Sequence, residues 1–319
     1  MENFIPAFDA YQVFVEPWQR DPQGYAWITL MAILVTTSCG LLGGYLILRR
    51  MSLVGDAISH SILPGIAVAF LVSNSRDPWV MSIGAVAAGL ITTWVIENIH
   101  HRTRVKQDAA IGITFSTLFA IGVILITIYA GKIDLDQECV LYGEIAWVPE
   151  FPMVVIAGVE IAPQPVFTMG VVTLITVVLI LLFYKVLLVT SFDAGLAGSL
   201  GYNPRAVHYL LMSVLAVVVV SAFESVGAIL VIAMLILPGA TAYLLTTRFP
   251  LMLTYSVVHA VVSSFLGLHL GIWLDCSMAG AMVVAGMLLF LIAWVFNPAQ
   301  GLIWRPFRHR VEMEPAAQF

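Results

Sequence analysis

Charge is what this chain has least of. Lys, Arg, Asp and Glu make up 10% of its 319 residues, against about a quarter of a soluble domain, while apolar types reach 61% and mean hydropathy stands at +0.98. That balance excludes an ordinary soluble domain. A net charge of -5 and a pI near 5.8 give no basic surface for nucleic acid. Cysteine is scarce too: Cys39, Cys139 and Cys276 are far apart and form no CxxC pair, which excludes a disulfide framework and a zinc knuckle and leaves three small apolar fillers. There is no GxxxxGK[ST], so the chain has no P-loop of its own. Nor is there an HExxH or a GxSxG, which argues against an intramembrane hydrolase. The first 26 residues carry Glu2, Asp9, Glu16, Arg20 and Asp21 and lack an unbroken apolar core, so no cleavable signal peptide is expected; Phe4 to Trp18 reads as an amphipathic, interfacial segment.

What the chain does have is long apolar runs. Crossing about 30 Å of hydrocarbon takes roughly 20 residues. Nine stretches qualify: Trp27 to Leu48, Val54 to Val72, Trp79 to Ile96, Ala109 to Ala130, Val166 to Thr190, His208 to Phe223, Val226 to Thr246, Leu251 to Leu270 and Ser277 to Phe296. The expected fold is therefore an all-α polytopic membrane protein, with an extracytoplasmic or interfacial segment at 1–26, a transmembrane domain at 27–297 and a tail at 298–319. If the first span runs inward, Arg49, Arg50, Arg102, Arg104, Lys106, Lys185, Arg205, Arg248, Arg305, Arg308 and Arg310 fall on the cytoplasmic side, leaving Arg20, Arg76 and Lys132 outside. The basic residues thus predict N-terminus out, C-terminus in and tail cytoplasmic.

The informative stretch is Met51 to Gly65, MSLVGDAISHSILPG. Asp56 and His60 lie inside the second span, one helical turn apart on one face. Ionisable side chains at mid-bilayer cost roughly 2.5 to 3.5 kcal/mol on insertion scales and usually face a bundle interior or a polar pathway. Pro64 has no N–H to give the carbonyl of His60, so that oxygen is left without its helical donor. Carboxylate, imidazole and spare carbonyl outline a cation site, with a divalent metal ion as the expected cargo. The competing reading is a hydrogen-bonded pair that fastens helices together. The tetrapeptide Ile62-Leu63-Pro64-Gly65 recurs as Ile236-Leu237-Pro238-Gly239 in the seventh span, which runs the opposite way. Paired Pro/Gly interruptions in two halves point to a site at the interface of inverted repeats. Pro238 frees the carbonyl of Met234 as Pro64 frees that of His60, which makes Met234 a candidate third contributor.

Two connections stand out. Gly131 to Pro165 is acidic, carrying Asp134, Asp136, Glu138, Glu144, Glu150 and Glu160 against Lys132, and is expected to form an ordered outer cap or a half-inserted helix. Ser191 to Pro204, SFDAGLAGSLGYNP, reads as a short helix capped by aspartate and ended by glycine. His259 and His269 have no evident partner in sequence.

LRRMSLVGDAISHSILPG, FDAGLAGSLG, ESVGAILVIAMLILPGATA and LDCSMAGAMVV, in this order, resemble the permease subunits of ATP-binding-cassette manganese/zinc/iron importers. The resemblance runs from about Leu30 to Phe296. It implies the inverted-repeat fold of the type II importers, a second permease, two cytoplasmic ATP-binding subunits and an extracytoplasmic metal-binding protein, in a bacterial inner membrane. It implies metal contact for Asp56 and His60, and ATPase contact for Phe192, Asp193, Ala197 and Gly201. The transported ion would be Mn2+, Fe2+ or Zn2+, with manganese and iron favoured, and no permanent cofactor is expected. Where many members carry an acidic residue soon after the helix-capping aspartate, this chain has Gly195, and their usual Ser-Gly near the last turn is replaced by Ser277, Met278, Ala279 and Gly280. The residues alone leave one alternative: a stand-alone carrier using Asp56 and His60 as a proton relay.

Overall fold

The structure, a computed structural model, describes residues 6–73, 78–129, 145–156, 158–297 and 301. The acidic stretch 131–144 and all of the 298–319 tail except Gly301 lie outside those residues. Two short helices, α1 (Ala10–Phe14) and α2 (Glu16–Arg20), precede the first long one, α3 (Pro22–Leu48). Then come α4 (Val54–Ser73), α5 (Pro78–Arg102) and α6 (Gln107–Tyr129). A 3-10 turn, Ile145–Glu150, leads into the strands β1 (Met153–Ile156) and β2 (Val159–Pro163). The rest is α7 (Gln164–Leu182), α8 (Tyr184–Phe192), α9 (Ala194–Ser199), α10 (Pro204–Leu245), α11 (Phe249–Leu274) and α12 (Met278–Phe296). Among the described residues nine helical segments are long and apolar enough to cross a membrane.

Two of these segments are the halves of α10, Pro204–Phe223 and Ser225–Leu245. Between them Gly227 takes φ 76 and ψ 166, a backbone region open essentially to glycine alone. The chain reverses there: His208 in the first half meets Arg49, while Gly239 in the second half lies against Gly43 and Gly44, so both halves reach the same end of α3. The sixth and seventh crossings are thus antiparallel, as expected.

α3 is the hub, with Met31, Val35, Leu42, Tyr45 and Leu46 buried against α7, α10 and α11. Helices surrounded by lipid gain little from apolar surface as such and associate where small residues let backbones touch. The two ILPG turns use this device. Gly65 lies against the carbonyl of Gly84 in α5, and Pro64 against Gly122 in α6, where a methyl would come 2.8 Å from the proline nitrogen. In the second repeat Pro238 packs on Gly40, where a methyl would stand 3.1 Å from the proline Cβ. Each proline, whose ring bends its helix, therefore abuts a glycine of a neighbouring helix.

Two expectations are corrected and a third gains detail. The fifth span does not run unbroken to Thr190: α7 stops at Leu182, Phe183 leaves helical geometry, and α8 starts at Tyr184. The connection from α6 to α7, expected as an ordered cap or a half-inserted helix, carries an antiparallel hairpin, β1 with β2, as well as the 3-10 turn. His269 does have partners. Its Nε2 accepts from the indole N–H of Trp18 at 3.3 Å, its ring stacks on Phe14 with centroids 4.7 Å apart, and the next turn of α11 holds the segment again through Trp273, which donates to the carbonyl of Pro6. The N-terminal segment is docked on the end of α11.

Candidate metal pathway and coupling helix

Asp56 and His60 sit in the first two turns of α4, with Nε2 of His60 3.3 Å from Oδ1 of Asp56. Their side chains are 33% and 32% exposed, so the pair is neither sealed in the core nor laid fully open. Leu53, just before the helix, and Asp56, His60 and Leu63 in it form its more accessible stripe, while Ala57, Ile58, Ser59, Ser61 and Ile62 are buried. Two phenylalanines of α6 flank the imidazole, Phe115 and Phe119, each with its centroid 5.9 Å away. Ser59 and Ser61 donate to the carbonyls of Gly55 and Ala57 one turn back, which satisfies those hydroxyls within the helix. One carboxylate and one imidazole therefore share the partly exposed side of this helix. Among the described residues no third His, Cys, Asp or Glu joins them. Such a pair can supply two ligands to a divalent cation and leave the remaining positions to water, as a site that must release its ion requires.

Met234 is elsewhere. It is fully buried, its sulfur is approached by the hydroxyl of Ser263 at 3.9 Å, and its methyl lies beside Gly286 in α12. These contacts are with α11 and α12, whereas the contacts of Asp56 and His60 are with each other and α6.

The short helix α9 is built as its sequence predicts. Oδ1 of Asp193 accepts from the amides of Gly195 and Leu196 at 2.8 and 2.9 Å, an N-cap worth about 1 kcal/mol. The helix ends through Gly201 at φ 85, with the amide of Tyr202 bonded to the carbonyl of Ala197. Ala197 is fully buried and roots the helix on the body of the protein. Phe192, Leu196, Leu200 and Tyr202 are all exposed, an apolar face on the end of the molecule that also carries Arg49, Arg205 and Arg248. Of the four residues singled out by sequence, Phe192 belongs to that face, while Asp193, Ala197 and Gly201 shape the helix that presents it.

Behind α9 lies a polar cluster that sequence reasoning missed. Arg49, just past α3, reaches Ser191, Thr190 and His208, and His208 reaches Glu97 of α5. Its members span 159 positions, so nothing in local sequence pairs them; only the cost of burying Glu97 near a span end could have drawn attention. Desolvation of the half-buried Arg49 guanidinium lowers its pKa, and Tyr45 and Glu97 act against that shift.

A polytopic helical body with a half-open acid–imidazole pair in one crossing and a capped helix across its basic face defines a membrane transport permease. Comparison with known proteins names the family: residues 24–297 match the ABC 3 transport family, and the chain belongs to it. It is 43% identical over 283 residues to the manganese transport system membrane protein MntD of Bacillus subtilis (strain 168), covering 89% of this chain and 95% of that one. It is 40% identical over 278 residues to the zinc transport system membrane protein TroD of Treponema pallidum (strain Nichols), covering 87% and 75%. Among solved structures, PsaBC from Streptococcus pneumoniae in complex with Fab superposes with a TM-score of 0.73 at 34% identity, covering 92% of this chain and 98% of that one. The chain is thus an ABC importer permease, and the stand-alone carrier is set aside.

Proposed function

We propose that this protein carries a divalent transition metal, manganese or iron in preference to zinc, across a bacterial inner membrane, and that Asp56 and His60 are the side chains the ion meets on the way. The observation behind this reading is the position of the pair, half-open on the accessible stripe of α4 in a chain of the ABC 3 transport family. Carboxylate oxygen suits manganese and imidazole suits zinc or iron, so two ligands of different kinds leave the ion to be set by the partners as well. Relatives named for manganese and for zinc transport agree with that latitude. The sulfur of Met234 is not part of this reading, because it lies against α11 and α12.

The exposed face of Phe192, Leu196, Leu200 and Tyr202 is the contact for a cytoplasmic ATP-binding subunit, which supplies the hydrolysis this chain has no P-loop to perform. A second permease completes the wall opposite Asp56 and His60, and an extracytoplasmic binding protein delivers the metal. The transmembrane unit is 27–297, with 1–26 outside and 298–319 in the cytoplasm, the orientation that puts the face of Arg49, Arg102, Arg205 and Arg248 inside. Reconstitution in vesicles tests the reading. Uptake of labelled manganese should require both internal ATP and the co-expressed ATPase; uptake driven by a proton gradient without them would contradict it.

A further inference from the structure

The Arg49 cluster has no role in metal contact or in the ATPase-facing surface, yet it joins the elements that carry each. The guanidinium uses all three nitrogens. Nε donates to Oγ of Ser191 at 3.0 Å, one Nη donates to Oγ1 of Thr190 at 3.1 Å, and the other lies 3.3 Å from Nδ1 of His208. Thr190 and Ser191 send their own protons back to the carbonyls of Val186 and Leu187 at 2.8 and 2.6 Å, so their oxygens are free to accept from Arg49. The His208 contact requires Nδ1 as acceptor, which leaves the proton on Nε2, 3.2 Å from Oε2 of Glu97. The other oxygen of Glu97 meets Nε2 of His101 at 2.7 Å.

The positions in the chain give the cluster its direction. Ser191 is two residues before Asp193, the cap of the short helix α9. Arg49 closes α3 and is seven residues before Asp56. Between them the chain turns tightly: the amide of Met51 bonds to the carbonyl of Leu46 at 2.9 Å and that of Arg50 to Ile47 at 3.0 Å, with Arg50 left-handed at φ 57. That is a doubly bonded helix end, stiff enough to carry a displacement into α4. The same end of α3 is gripped from the other side by Phe249, whose ring meets Tyr45 at 4.8 Å and Phe192 at 6.4 Å.

We propose that Arg49 is the positioning residue that links the ATPase-facing helix to the metal site: its guanidinium ties Thr190 and Ser191 to the α3–α4 turn, so that α9 and Asp56 move as one body. This rests on the reading of α9 as the ATPase contact. A guanidinium is suited to the task because its planar fork holds several acceptors at fixed angles, which a lysine ammonium cannot.

The test uses the complete complex of permease, ATPase and binding protein in vesicles, and reads metal transported per ATP hydrolysed. R49A should keep its copurifying ATPase and its ATP hydrolysis but lose about tenfold in that ratio, within the range of ordinary coupling energies. T190V with S191A should lose a similar factor, and the triple variant should be no worse than R49A, because both remove one interaction. R49K should fall between R49A and the unaltered protein, and it carries the test if R49A fails to accumulate. An unchanged ratio in R49A or R49K, or a triple variant showing the product of the separate losses, overturns the proposal. The D193K variant separates this from the reading beneath it. If D193K loses the ATPase while R49A stays fully coupled, the Arg49 proposal alone fails; if D193K retains the ATPase in full, the assignment of α9 fails and takes the proposal with it.

Discussion

Gly65 of α4 and Gly84 of α5 touch backbone to backbone, so that a methyl placed on either would overlap the carbonyl oxygen of the other. Ala69 and Ala88 extend the contact, each beside the glycine of the opposite helix. This crossing fixes α5 against the helix that carries Asp56 and His60. Replacing either glycine by alanine should destabilise the folded protein by about 1–3 kcal/mol through overpacking. Thermal melting in detergent measures it, with Gly112 of α6 as the control, since nothing lies within 4 Å of a methyl there. G65A and G84A should melt lower than G112A; equal melting would show that the two helices can part without cost.

The reversal at Gly227 makes a second prediction. At φ 76 and ψ 166 an alanine is strained by about 1–3 kcal/mol whatever space surrounds it. G227A should lower the melting temperature and reduce transport, by displacing the second half of α10 and with it the Pro238 contact on α3. A melting temperature equal to that of the unaltered protein would mean that the chain turns at another residue.

A third concerns the N-terminal segment. W18F keeps an aromatic ring beside His269 but removes the N–H that donates to it, a bond worth about 1 kcal/mol. Amide exchange in residues 10–20 should rise about fivefold, by the same figure converted to a population, while metal uptake stays the same. Exchange that does not change would mean that Phe14 and Trp273 hold the segment without Trp18.

Sequence made some of this legible and not the rest, and the division is physical. The nine candidate spans among the described residues were readable because a membrane span announces itself by length and hydropathy within one window. The cap of α9 was readable because aspartate, short helix and glycine are neighbours in the chain. Asp56 and His60 stood out because ionisable groups are costly there. The break at Phe183 was not readable: the run LILLFYKVLL has no proline or glycine to mark it. The hairpin Met153–Pro163 was hidden because Val154, Val155 and Ile156 form an unbroken apolar run rather than an alternating one, inside an acidic loop. Contacts of Trp18 with His269 and of Arg49 with His208 join residues far apart in the chain. A helix that is apolar on every side offers no stripe from which to read which face is buried.

The central claim is that Asp56 and His60 meet the transported ion, and labelled manganese uptake into vesicles holding the full complex tests it most directly. D56N and H60A keep nearly the volume of the helix face or reduce it at a partly exposed position, so both should fold and retain their ATPase. The account predicts that each variant loses at least about tenfold in uptake at subsaturating manganese, since losing even an outer-shell partner of a metal ligand costs about that much. Uptake equal to that of the unaltered complex in both variants would contradict it and leave the pair as a fastening between turns of α4.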